Sequence, residues 1–122
     1  MIYLASPYTH NDEDIVLYRV DAVCKAAGYF MRQGLNIISP IAHCHSIAKV
    51  SELPTDYKYW HKYNHALINI CTEYWILLLS GWQESTGIIG ETAYADSISR
   101  VVKYVDPLTY EVNNRPKVTL KF

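Results

Sequence analysis

The stretch GWQESTGIIGE, residues 81 to 91, places two carboxylates, a Ser-Thr pair and three glycines directly after a run of bulky apolar residues. A helix starting near Ser85 offers free backbone N–H groups and the positive end of its dipole. Ser85, Thr86 and Gly87 lie at that start. Gly87 has no side chain, so its backbone can approach a phosphate closely. Ser85 can cap the helix or donate to the phosphate. Glu91 follows Gly87 by four residues and shares its helix face. A carboxylate there can point back toward the strand ends and meet the anomeric carbon of a sugar whose phosphate sits near Gly87. Glu84 falls in the loop and is expected to face water. A lone helix glutamate is ordinarily a solvated charge, so the surrounding elements must decide.

Those elements are legible in outline. Ile2 to Ala5 is a short apolar run stopped by Ser6-Pro7, a buried first strand. Asn11 or Asp12 caps a helix with acidic residues at its positive end, running to about Gln33 and ended by Gly34. Val16, Val20, Val23, Ala27, Phe30 and Met31 recur along it at helical spacing. Asn36 to Ser39 is a second strand, closed by Pro40. A short helix over Ile41 to Val50, a loop over Ser51 to Thr55 and a helix from Asp56 to about Cys71 follow. Tyr74 to Leu79 shows no alternation and reads as a strand buried on both faces. A helix over Thr86 to Ser99 and a strand over Val101 to Val105 complete the pattern. In the tail, Asn113-Asn114 is a turn signal and Lys117 to Phe122 alternates like an edge strand. Strands alternating with helices imply an α/β fold, a Rossmann-like or flavodoxin-like three-layer arrangement with a mostly parallel sheet covered on both faces. Ligands of such sheets bind beyond the carboxyl ends of the strands at the switch point. In a flavodoxin-like order, the loops there are SPYTH (6 to 10) and SGWQES (80 to 85).

The chain has 122 residues, enough for one domain, and a formal net charge of −1. That balance lacks the basic excess of a non-specific nucleic-acid polymer binder. Cys24, Cys44 and Cys71 are odd in number and far apart, which fits a reducing cytoplasm rather than a disulfide framework. MIYLAS does not read as a signal peptide, and the apolar run near Tyr74 is far too short to span a bilayer. A soluble, cytoplasmic protein is expected. His43 and His45 follow the second strand, and His61 and His65 are four apart. This spacing permits a metal site without specifying one, and no HExxH pattern is present. No metal or cofactor is therefore assigned. Trp60 and Trp82 are candidates to line a base pocket. The first strand is followed by Ser-Pro-Tyr-Thr rather than a glycine-rich fingerprint, which argues against a dinucleotide oxidoreductase.

Four blocks carry a resemblance: MIYLASPYTH, IISPIAHCHSIA, the pattern W-x-x-Y-N-x-A-L-x-x-x-C, and WILLLSGWQESTGIIGE. In this order and spacing they resemble a small bacterial and phage domain family of unknown function. That family is similar in turn to the nucleoside 2-deoxyribosyltransferases and the deoxynucleoside-monophosphate N-glycosidases. The resemblance covers about residues 1 to 106 and leaves the tail from 107 to 122 outside. It implies a single nucleoside 2-deoxyribosyltransferase-like domain acting on a small nucleotide, without a cofactor, as a homodimer or larger homo-oligomer. By the resemblance, Glu91 attacks C1′ and Tyr3 holds its carboxylate. Ser85, six residues earlier, favours a 5′-phosphate, because an Asp there would repel the dianion. Ser6, Tyr8, His43, His45, Trp60, Thr86 and Gly87 are then placed near phosphate, sugar or base. Asn64 departs from the pattern. The related sequences carry an Asp there, the proton donor to the leaving base, and an Asn cannot act as a general acid. The implied function is cleavage of a base–sugar bond in a nucleoside 5′-monophosphate. The other reading is a catalytically weak nucleotide-binding or sequestering protein.

Overall fold

The computed structural model describes residues 1–118. Its elements are β1 (Ile2–Ala5), α1 (Glu13–Arg32), β2 (Ile37–Ile38), α2 (Pro40–Val50), α3 (Tyr57–Ile70), β3 (Glu73–Leu77), α4 (Thr86–Ser97), β4 (Val101–Val105) and β5 (Val112–Asn113). Local signals act where they were read. The Asp12 side chain accepts from the Asp14 N–H at the start of α1. Gly34, at φ +86°, carries the chain out of that helix in a conformation that only glycine adopts at no cost. Ser39 caps α2, and Pro40 occupies its first turn rather than merely closing β2.

The five strands form one sheet in the order β2-β1-β3-β4-β5. β1 pairs in parallel with β2 and β3, and β3 pairs in parallel with β4. This is the flavodoxin-like order expected, with β1 and β3 at the switch point. β5 is the exception. It runs antiparallel to β4, matching Val105 to Val112 and Tyr104 to Asn113. The tail therefore re-enters the sheet at Val112–Asn113, where a turn was expected, because buried Asp106 organises the reversal. Its carboxylate accepts from the Leu108 and Thr109 N–H groups. The edge strand expected over 117–122 is absent at 117 and 118, and the rest of it lies outside the described residues.

Alternation along the strands sorts the core into two layers. Ile2, Leu4, Trp75 and Leu77 face α1, meeting Val23, Ala26, Ala27 and Phe30. Tyr3, Ala5, Tyr74 and Ile76 face the opposite side, against Ile68 of α3 and Ile88 and Ala95 of α4. Helices thus cover both faces. No helix of the described residues is long and apolar enough to cross a membrane.

One buried cation ties the strand ends together. Arg19 of α1 donates to the Thr9 carbonyl at 2.9 Å and to the Ser80 carbonyl at 3.1 Å, bridging the loops that leave β1 and β3. Hydrogen bonds from a charged donor contribute about 1.5–3 kcal/mol each. Arg19→Met keeps most of the aliphatic stem but loses both bonds. Urea denaturation is expected to show a loss of about 2 kcal/mol or more, and an unchanged midpoint would refute the clamp.

Candidate active site

The carboxyl end of β1 and the loop that leaves it, the start of α4 and the inner faces of α2 and α3 line a cleft of about 300 Å³. Tyr3, Ser6, Tyr8, His45, Trp60, Asn64, Ser85, Thr86, Gly87 and Glu91 all line it. His43 does not; it is exposed. Residues two apart on a helix are separated by about 200°, so α2 can turn only one of His43 and His45 inward. His45 takes that place, with Nδ1 2.7 Å from the Tyr8 hydroxyl. Trp60 lines the cleft and donates to the Pro54 carbonyl. Trp82 does not line it; its ring packs edge-on to Tyr104. Glu84 is exposed, as expected.

Glu91 is the centre of the arrangement. It lies on the inward face of α4, and only 7% of it is exposed. Asn64 Nδ2 donates to Oε2 at 3.0 Å, and the Tyr74 hydroxyl donates to Oε1 at 3.4 Å. The Tyr3 hydroxyl also bonds the carboxylate. Burial pushes the Glu91 pKa up to about 7, against the pull of these three donors, Tyr3 first. Both phenols are in turn held well above their usual pKa, first by burial and then by the neighbouring carboxylate. They remain hydrogen-bond donors at any working pH.

Tyr74 was read from the sequence only as a core strand residue. The signal that finds it is register: Tyr3 pairs with Tyr74 across the parallel ladder. Their side chains therefore share a face and stack, 5.4 Å between centroids. Tyr57, Asp56 and Lys58 also line the cleft. Asp56 stands at the N-cap of α3 as expected, but its side chain makes no capping bond there.

The start of α4 is open to the cleft. Ser85 caps the helix, its Oγ accepting from the Ile88 N–H at 3.3 Å. That bond leaves the hydroxyl proton free to face a ligand. A Cβ at Gly87 would make only ordinary contacts, 3.8 Å from Ser85 Oγ and 4.0 Å from the Tyr57 ring, so packing does not demand glycine there. Across the cleft, Ser6 is 5% exposed and its Oγ has no hydrogen-bond partner among the described residues. An unsatisfied buried hydroxyl is unfavourable unless a ligand or water completes it. Thr72, just before β3, donates to the Met1 carbonyl and does not line the cleft. Its role is structural. His61 and His65 share a face, with rings 5.6 Å apart. Among the described residues, no three His, Cys, Asp or Glu side chains are grouped so as to hold a metal ion.

A family described as a domain of unknown function, DUF1937, matches residues 1–106. The chain belongs to that family. The match ends at the buried Asp106 that starts the reversal into β5, so the DUF1937 region contains the whole cleft and the four parallel strands. No curated protein matches the chain. The family description names no activity, so the chemistry of the DUF1937 cleft has to be argued from its own side chains.

Proposed function

We propose that the cleft binds a nucleoside 5′-monophosphate and that Glu91 cleaves its base–sugar bond, by hydrolysis or by transfer to another base. The observation that carries this reading is a buried carboxylate held by three neutral donors beside an open helix N-terminus. A surface glutamate needs no such setting. In the proposed route, which resembles a retaining glycosidase, ionised Glu91 attacks C1′ and the base departs. Water or an acceptor base then releases the sugar phosphate. Tyr3, Tyr74 and Asn64 orient the carboxylate and favour its charged form. Ser85, Thr86 and Gly87 receive the phosphate, with the orphaned Ser6 hydroxyl as a further donor. Tyr8, His45 and Trp60 form the wall for the base. The four sequence blocks resemble a family that is similar in turn to the deoxyribosyltransferases and monophosphate N-glycosidases, and that resemblance supports the same assignment. Exposed Tyr59, Tyr63 and Ile70 on α3 supply apolar surface for the expected self-association.

The test is incubation with a panel of ribo- and deoxynucleoside 5′-monophosphates, with free base followed by chromatography. Base release that disappears in Glu91→Ala supports the enzyme. The second reading, a nucleotide-binding or sequestering protein, is motivated by Asn64. It gains if calorimetry shows tight nucleotide binding while no base is freed on long incubation.

A further inference from the structure

Residue 64 supplies no acid, but another hydroxyl stands on the same side of its helix. Tyr57 opens α3 about two turns before Asn64, and its side chain lines the cleft that holds Glu91. Gly90 of α4 makes room for it: a Cβ there would overlap the Tyr57 ring and hydroxyl. Tyr57 Oη lies 2.8 Å from His65 Nε2. The His65 ring stacks on Tyr94, 4.0 Å between centroids and 7° from parallel, and meets the His61 ring edge-on. The imidazole is half-buried, and the Tyr57 side chain lines the cleft. The pair therefore links the cleft to the packing between α3 and α4.

We propose that Tyr57 and His65 form the proton relay of this site, with Tyr57 donating to the departing base and His65 restoring that proton. This rests on the glycosidase reading above. As a Glu91 oxygen bonds to C1′, the C1′–N bond breaks and its electron pair stays on the base. The base takes the Tyr57 Oη proton, and Oη takes the Nε2 proton of the His65 imidazolium. In the second step water oxygen bonds to C1′. The bond from C1′ to Glu91 breaks, and its pair returns to the carboxylate. The proton lost by water passes through Oη to Nε2. One water is consumed and the relay ends as it began.

The surroundings suit both roles. Burial, helped by His61, lowers the His65 pKa, so its imidazolium gives up a proton readily. Burial and the Glu91 charge raise the Tyr57 pKa, which keeps the phenol protonated until a base begins to leave. The titratable groups facing the pair are His61 on α3, Glu91 and Tyr94 on α4, and Tyr74 on β3.

A comparison of leaving groups tests the relay. Wild type, Tyr57→Phe and His65→Gln are assayed on a nucleotide with a plain base and on a matched one whose base leaves with less need of a proton. Suitable pairs are guanine with 7-methylguanine and uracil with 5-bromouracil. Phe keeps a ring over Gly90, and His65→Gln changes the outer partner alone, so at least one variant retains the fold in a thermal melt. With the plain base, both variants are expected to lose about 10²-fold in rate, shrinking to less than about tenfold with the activated base. Adding Asn64→Asp to Tyr57→Phe is expected to restore much of the loss, because it returns a proton donor to the cleft. Equal losses on both leaving groups, or none, overturn the relay and leave the glycosidase reading standing. No base release by wild type from any nucleotide overturns both.

Discussion

Glu91→Gln is expected to abolish base release and, at the same time, to make the protein more stable at pH 8. The first effect follows from the loss of the nucleophile: an amide cannot form the glycosyl intermediate, and the rate should fall by about 10³-fold or more. The second follows from burial. The carboxyl titrates at about 7 in the folded protein against an ordinary value of 4.5. Between those values the folded state binds a proton that the unfolded state has released. Stability is therefore full below about pH 4.5 and declines as pH rises toward 7, by about 3 kcal/mol in all. Glutamine stays neutral at every pH and removes that slope. The donors around it can adapt, since the Asn64 amide can turn its oxygen inward and the tyrosine hydroxyls can rotate. Melting curves of wild type and Glu91→Gln should nearly coincide at pH 5. At pH 8 they should separate by on the order of 10 °C, the variant melting higher. Coincident curves at both pH values would show that the carboxylate is not strained by its site. For the wild type, base release should pass through a maximum near neutrality, because attack needs Glu91 ionised while the relay needs His65 protonated.

Asn64→Asp is the second substitution with a large expected effect. Asn64 Nδ2 and Glu91 Oε2 are 3.0 Å apart. Two carboxylates at that separation cannot both ionise, so the pair retains one proton near neutrality. A proton held there can be passed to a departing base, and the variant should release base about tenfold faster or more near pH 6. Asn64→Leu removes the donor and adds no acid. It should push the Glu91 pKa above 7 and slow the reaction. The check is the pH–rate profile of the three proteins. If Asp and Leu at residue 64 slow the reaction alike, the amide matters for holding Glu91 and not as the place of a missing acid.

Helix caps, the glycine stop at residue 34, the parallel strands and the position of Glu91 four residues beyond Gly87 were all legible in the sequence. They depend on neighbours a few residues apart, and backbone geometry then dictates the outcome. Boundaries shifted where an interaction from elsewhere intervened. β3 stops at Leu77, and the Leu78 N–H instead reaches the Val105 carbonyl at the end of β4. β5 depends on the fold of Asp106 with Leu108 and Thr109, which alternation over the following residues did not reveal.

The composition of the site divides along the same line. Sequence pattern alone determined an α/β chain with Glu91 on the helix face of Gly87 and a capped helix start beside it; that this face turns inward was decided by the fold. Only the tertiary structure decided what that carboxylate meets. The β1–β3 register brings Tyr74 beside Tyr3, packing of α3 on α4 delivers Asn64, and Gly90 admits Tyr57. His45 rather than His43 turns inward because α2 has one inward face. Such meetings join residues far apart in the chain. Their outcome depends on strand order and helix packing, which local periodicity does not contain.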